Sequence, residues 1–146
     1  MNIFNFINQT INKGGASYNP EFGIVPESGY MVSIRDVIKV SFDNKEETVQ
    51  DAVLKALKQS GDLLAHSDNF LGSWVSEDQY LYIDVAKNVQ DIRPAIELGM
   101  INDQLAIYDI VNDREIKLPA RQKAGTYTQQ KTYMDLAIDK TINNLK

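Results

Sequence analysis

Alternation of apolar and polar side chains along the chain predicts two adjacent strands soon after a start rich in glycine and proline. Residues 30–34 and 37–42 follow the two-residue period of a strand that buries one face. Arg35 and Asp36 lie between them, so we expect these two residues to form a hairpin turn. Residues 12–29 contain so many glycines and prolines that we expect a loop or arm.

A change of period then predicts a helix followed by a second hairpin. Apolar residues recur three and four apart from about residue 45 to residue 60, the spacing of a helix with one buried face. Gly61 is the expected end of that helix, because glycine readily adopts the left-handed conformation. Residues 70–75 and 79–85 alternate again and predict two strands joined by a short turn.

The remaining third of the sequence predicts two more helices and two more strands. Asp91 is a candidate N-cap for a helix that ends near residue 102. The nearly unbroken apolar residues 104–110 predict a strand buried on both faces at the centre of a sheet. Residues 115–118 are expected to return as a short edge strand, and residues 127–145 to form an amphipathic helix.

The predicted order from residue 30 onward is β-β-α-β-β-α-β-β-α. This order favours an α+β fold, a two-layer sandwich with helices on one face of a mainly antiparallel sheet. At 146 residues the chain is long enough for one sizeable core. We therefore expect an N-terminal arm and loop at 1–29, an α+β domain at 30–118, and a basic linker with a C-terminal helix at 119–146.

The first residues have the spacing of a short amphipathic helix, with apolar side chains on one face. Such a short helix needs a partner, which is either its own domain or another subunit. The C-terminal helix presents a second apolar stripe, so a homo-oligomer joined through the terminal segments is one expectation. The residues expected to contribute are Phe4, Ile7, Met134, Ile138 and Ile142.

Composition excludes several kinds of chemistry. The chain has no cysteine, so it has no disulfide, no thiol nucleophile and no cysteine-ligated metal. Its one histidine, His66, cannot form a multi-histidine metal site, and no serine nucleophile elbow accompanies it. Phosphate-binding and dinucleotide-binding glycine motifs are missing as well. We expect no metal, no cofactor and no catalytic residue.

Two carboxylates keep an enzymatic alternative open. Asp84 and Asp109 each interrupt an otherwise apolar predicted strand, and paired carboxylates can support acid–base chemistry or bind a divalent cation. The alternative to a binding protein is therefore a small carboxylate- or cation-dependent enzyme. A structural component of a phage particle is a third reading.

Neither end of the chain predicts membrane insertion. The first residues lack the basic start and long apolar run of a signal peptide. No stretch of eighteen apolar residues occurs, so no membrane span is expected. The expected location is the cytoplasm of a bacterial cell, with no membrane partner.

The net charge of −5 is unevenly divided. Residues 1–118 carry eighteen acidic and ten basic side chains, a net of −8, whereas residues 119–146 have a net of +3. An acidic body disfavours nucleic acid, whose affinity depends on neutralising phosphates. A protein partner is therefore expected to contact an acidic, aromatic surface. The residues expected to form that surface are Tyr80, Tyr82, Tyr108, Glu77 and Asp78.

Several short segments resemble small proteins encoded by bacteriophages and other mobile elements of Gram-positive bacteria. The resemblance covers most of residues 14–118 and rests on strand and turn segments. These segments are Gly15-Ala-Ser-Tyr, Ser28-Gly-Tyr-Met-Val-Ser, Trp74-Val, Tyr82-Ile-Asp-Val and Gln104-Leu-Ala-Ile-Tyr-Asp. It implies a bacterial cytoplasm and an accessory role in infection or transfer. The missing catalytic motifs and the acidic charge favour a non-catalytic protein that binds a host or element protein, such as an inhibitor of a host defence system.

Overall fold

The computed structural model describes residues 1–146 and contains four helices and six strands. The elements are α1 (Ile3–Lys13), β1 (Gly15–Tyr18), β2 (Tyr30–Ser41), α2 (Glu46–Leu64), β3 (Asn69–Val75), β4 (Tyr80–Val89), α3 (Ile92–Ile101), β5 (Ala106–Asp109), β6 (Arg114–Lys117) and α4 (Tyr127–Asn144). The strands form an antiparallel sheet in the order β1-β3-β4-β2-β5-β6. The α+β class predicted from the sequence is confirmed. No helix has the length and apolar character needed to cross a membrane.

The chain divides into two compact units. The first comprises Met1–Pro26 and Ile34–Lys87, and the second comprises Glu27–Ser33 and Asn88–Lys146. Each unit has its own cluster of buried apolar side chains. Strands β2 and β4 each begin in one unit and end in the other, so the unit boundaries fall within strands rather than in a linker.

The core of the first unit lies where α1 and α2 pack against one face of its strands. Leu71 and Ile83 project from β3 and β4 into this core, where they meet side chains of both helices. Ser73 points the same way and its hydroxyl hydrogen-bonds to Thr10 of α1. Successive residues of a strand face opposite sides, so the residues between these project from the other face of the sheet.

A buried amide, Asn19, joins the end of β1 to the residues around the end of α2. Its Nδ2 lies 3.0 Å, 3.1 Å and 2.8 Å from the carbonyl oxygens of Leu64, His66 and Asn69. Its Oδ1 accepts hydrogen bonds from the backbone of the next turn, at Glu21. One fully buried side chain therefore supplies a common donor to carbonyl groups at the end of α2 and the start of β3.

The second unit builds its core between α3, α4 and the short β5–β6 hairpin. Gly99 allows α3 to pack closely against β5 and the residue that follows β6. A Cβ at this position would lie 3.0 Å from Ile107 and would overlap Leu118. A capping box begins α4: the Thr126 hydroxyl accepts from the Gln129 amide, and the Gln129 side chain accepts from the Thr126 amide.

The turn predicted at Arg35 and Asp36 is wrong. Both residues lie in the middle of β2, which runs without interruption over twelve residues. Tight hairpin turns require positive φ angles at their central residues, and neither residue adopts one. The alternation on either side belongs to one long strand.

Two further predictions need correction. Gly61 does not end α2, because the helix kinks at Ser60 and continues to Leu64, whose side chain is buried in the core. The supposed loop at residues 12–29 contains β1, which pairs with β3.

The strand predicted at residues 104–110 is not central and not buried on both faces. It is β5, it lies between β2 and the edge strand β6, and the preceding Leu105 is 87% exposed. The short edge strand itself was predicted correctly.

We predict that Asn19→Ala lowers the free energy of unfolding by about 2–3 kcal/mol, because it removes a hydrogen-bond donor from the buried carbonyl groups of Leu64 and Asn69. Urea unfolding followed by circular dichroism measures this loss. Asn12→Ala is the matched control: Asn12 is exposed at the end of α1, so its replacement should change stability by less than about 0.5 kcal/mol. Equal stability of the two variants would refute the anchoring role of Asn19.

Candidate functional site

The first unit presents aromatic rings on the sheet face opposite its helices. Trp74 of β3 and Tyr82 of β4 are direct cross-strand partners, and each projects away from α1 and α2 because its neighbours in the strand point into the core. Their ring centroids are 5.2 Å apart with an interplanar angle of 33°. Trp74 remains 55% exposed, an unusual position for the largest apolar side chain.

Lys39 of β2 completes this surface. Its ammonium nitrogen lies 4.6 Å from the ring centre of Tyr80 and 5.4 Å from that of Tyr82, both within the range of cation–π attraction. We call Trp74, Tyr80, Tyr82 and Lys39 the aromatic patch. The patch therefore combines the faces of three aromatic rings with one positive charge.

A glycine of β3 and its cross-strand neighbours on β1 and β4 border the aromatic patch. Gly72 stands opposite Asp84 in the β3–β4 register and opposite Ser17 in the β1–β3 register. The Asp84 carboxylate lies directly over Gly72, at a place that the Cβ of any other residue would occupy. Asp84 was predicted to interrupt an apolar strand, and Gly72 makes room for its carboxylate beside the rings.

The turn between β3 and β4 carries the predicted acidic residues. Glu77 and Asp78 are both exposed in this turn, which leads directly into Tyr80. The Asp78 carboxylate accepts a hydrogen bond from the Ser76 hydroxyl, and the turn closes through a hydrogen bond from the Gln79 amide to the Ser76 carbonyl. Their charges therefore lie at the end of the strand that carries both patch tyrosines.

Of the five predicted partner-binding residues, the structure places four along the β3–β4 hairpin and one elsewhere. Tyr108 belongs to β5 in the second unit, where its hydroxyl donates to Asp113. This hydrogen bond, with burial and the nearby carboxylates, raises the pKa of Tyr108 from 10.0 to about 12. Trp74 and Lys39 were not predicted, although the one tryptophan of the chain in a predicted strand was a usable signal.

Asp109 is the second carboxylate of the enzymatic alternative, and its side chain stabilises the turn between β5 and β6. Its buried side chain accepts from the Asn112 side chain at 2.8 Å and from Arg114 at 3.2 Å. These donors hold the pKa of Asp109 below its usual value, the Asn112 hydrogen bond being the larger cause. In the whole chain no three histidine, aspartate or glutamate side chains cluster in a way that could hold a metal ion.

The residues predicted for self-association differ in exposure. Ile7 and Ile138 are buried in the cores of the first and second units, and Met134 and Ile142 pack against the second core. Phe4 alone is well exposed. Association through these five residues stays a prediction, with Phe4 the one member whose side chain is largely accessible.

No family model, no curated protein and no solved structure matches this chain.

We predict that Tyr108 ionises near pH 12, well above the ordinary tyrosine value of 10.0. Its protonated form is favoured in the folded protein, so its stabilising contribution is fully present below pH 10 and is lost as the pH rises to about 12. Absorbance titration at the tyrosinate band should lose a transition near pH 12 in Tyr108→Phe. In Asp113→Asn that transition should move toward pH 10, whereas Tyr127→Phe, at an exposed site, should leave it unchanged.

Proposed function

We propose that the protein is a non-catalytic binding protein that recognises a partner protein through the aromatic patch. The observation that carries the proposal is a half-exposed tryptophan in tilted ring contact with a cross-strand tyrosine, on the face that α1 and α2 leave uncovered. Tryptophan and tyrosine dominate the binding energy of protein interfaces, because they bury large areas while losing little side-chain freedom. Because α1 and α2 pack against one face of these strands, the other face is left for the partner.

Charge favours a basic partner. The first unit carries eleven acidic and seven basic side chains, a net of −4. Glu77 and Asp78 lie at one end of the aromatic patch, and Asp84 lies beside it. Acidic groups around an aromatic centre attract a basic surface at long range and orient it before the rings make contact. The same charges repel the phosphates of a nucleic acid.

The resemblance to phage and mobile-element proteins supports a host or element protein as that partner. Binding to such a protein requires no catalytic group, which agrees with a site made of aromatic rings and one lysine. An inhibitor of a host defence system is one form that such a protein takes. The alternative of an acid–base or cation-dependent enzyme gains less support, because Asp109 already neutralises Arg114 in its own turn.

We predict that Trp74→Ala and Tyr82→Ala each reduce capture of the partner about tenfold or more, since a central aromatic residue contributes about 2 kcal/mol or more to an interface. Immobilised protein is incubated with lysate of a Gram-positive bacterium, and retained proteins are quantified by mass spectrometry. Tyr127→Ala is the matched control, because Tyr127 is an exposed aromatic residue on α4 and lies outside the patch.

The captured protein is then purified and titrated against the wild-type chain. Trp74 is the sole tryptophan, so its emission from this chain reports directly on the patch, and a partner lacking tryptophan is the simplest to follow. A blue shift on binding is expected as the ring leaves water. If Trp74→Ala captures the partner as well as the wild-type chain does, the proposal is overturned. It is also overturned if a single-stranded oligonucleotide quenches Trp74 saturably at a lower concentration than the captured protein requires.

A further inference from the structure

An open groove lies beside α4 in the second unit, apart from the aromatic patch. Its volume is about 570 Å³. Its lining includes apolar residues from the chain that follows β6 and from α4, among them a leucine that is 64% exposed. Its charged and apolar lining includes Lys117, Leu118, Pro119, Leu136 and Lys140.

The two lysines of this groove are not neutralised by their own chain. Neither Lys117 nor Lys140 forms an ion pair, whereas Arg93, Arg121 and Lys123 of the same unit each contact an aspartate. An apolar groove with two unpaired positive charges suits an apolar segment that carries negative charges.

One segment of this chain has that composition. Residues 21–27 read Glu-Phe-Gly-Ile-Val-Pro-Glu, with an exposed glutamate at each end and no ion pair at either. Between them Phe22, Ile24 and Val25 are 39–50% exposed. Three apolar side chains exposed within four positions form a patch that water solvates poorly, the usual mark of a contact surface.

The same segment is held in a fixed shape. Asn19 accepts hydrogen bonds from the amides of Glu21 and Phe22 through its side chain and from the amide of Gly23 through its carbonyl. The Asn19 amide in turn donates to the Ile24 carbonyl at 2.8 Å. Because the backbone is already ordered, little conformational entropy is lost when the exposed side chains dock.

We propose that residues 21–27 of one copy of this chain dock into the α4 groove of a second copy. Glu21 and Glu27 pair with Lys117 and Lys140, and the apolar residues between them cover Leu118, Pro119 and Leu136. Each copy carries one segment and one groove, so two copies can exchange the contact reciprocally or several can join head to tail. This self-association uses neither the aromatic patch nor the buried Ile7 and Ile138.

Sedimentation velocity of the full chain over a range of concentrations tests the contact. We expect a mass above the 16.5 kDa monomer at about 50 mM salt, and dissociation at about 500 mM, where charges are strongly screened. Charge reversal in the groove (K117E with K140E) and in the segment (E21K with E27K) should each raise the dissociation constant about tenfold or more. Combining all four substitutions should restore it to within about threefold.

The design separates a specific contact from a general effect of net charge. The groove reversal makes the net charge of −5 more negative and the segment reversal makes it less negative, so general repulsion would move the two variants in opposite directions. K131E on α4 outside the groove and E97K on α3 are matched controls that should associate as wild type does. A wild-type chain that stays monomeric at every concentration overturns the proposal, and so does association that neither reversal weakens.

Discussion

The pleat of β3 and β4 determines both what the first unit buries and what it presents. Leu71 and Ile83 project toward α1 and α2, so their cross-strand neighbours one residue away must project from the other face. A shift of register by one residue would place Trp74 in the core and Leu71 in solvent. The hydrogen bond between Ser73 and Thr10 opposes that shift, because it pairs two buried hydroxyls in one register only.

Periodicity predicted the elements that have a clear apolar face, and it failed where a different force decides. β3, α3 and α4 were predicted close to their bounds, whereas β4 continues four residues beyond the predicted end at residue 85. Gly61 was misread because its conformational freedom mattered less than the burial of Leu64 one turn later. β1 was missed because strand pairing with β3 is a long-range interaction that its glycine-rich surroundings conceal.

The candidate site was predictable in part for a related reason. Alternation within one strand identified Tyr80 and Tyr82 as sharing a face, since that relation is local. Trp74 and Lys39 join them only through pairing between strands, which a single sequence does not display. Tyr108 was predicted to join the same surface, but it belongs to the second unit. Its hydroxyl donates to Asp113 in the turn that follows β5. Composition also identified residues 119–146 as basic, but two of these positive charges, on Arg121 and Lys123, form ion pairs with Asp103.

The kink of α2 at Ser60 has a mechanical consequence. Beyond it the final turn of the helix is held by side-chain amides: Asn69 donates to Leu63, and Asn19 lies against Leu64 and His66. Asn19 also shapes the turn that begins at Glu21. Asn19 therefore links the end of α2 to residues 19–24, while Leu64 keeps that end of the helix in the core. The same side chain joins Phe22 to the start of β3, the strand that bears Trp74, because it accepts from the Phe22 amide and donates to the Asn69 carbonyl.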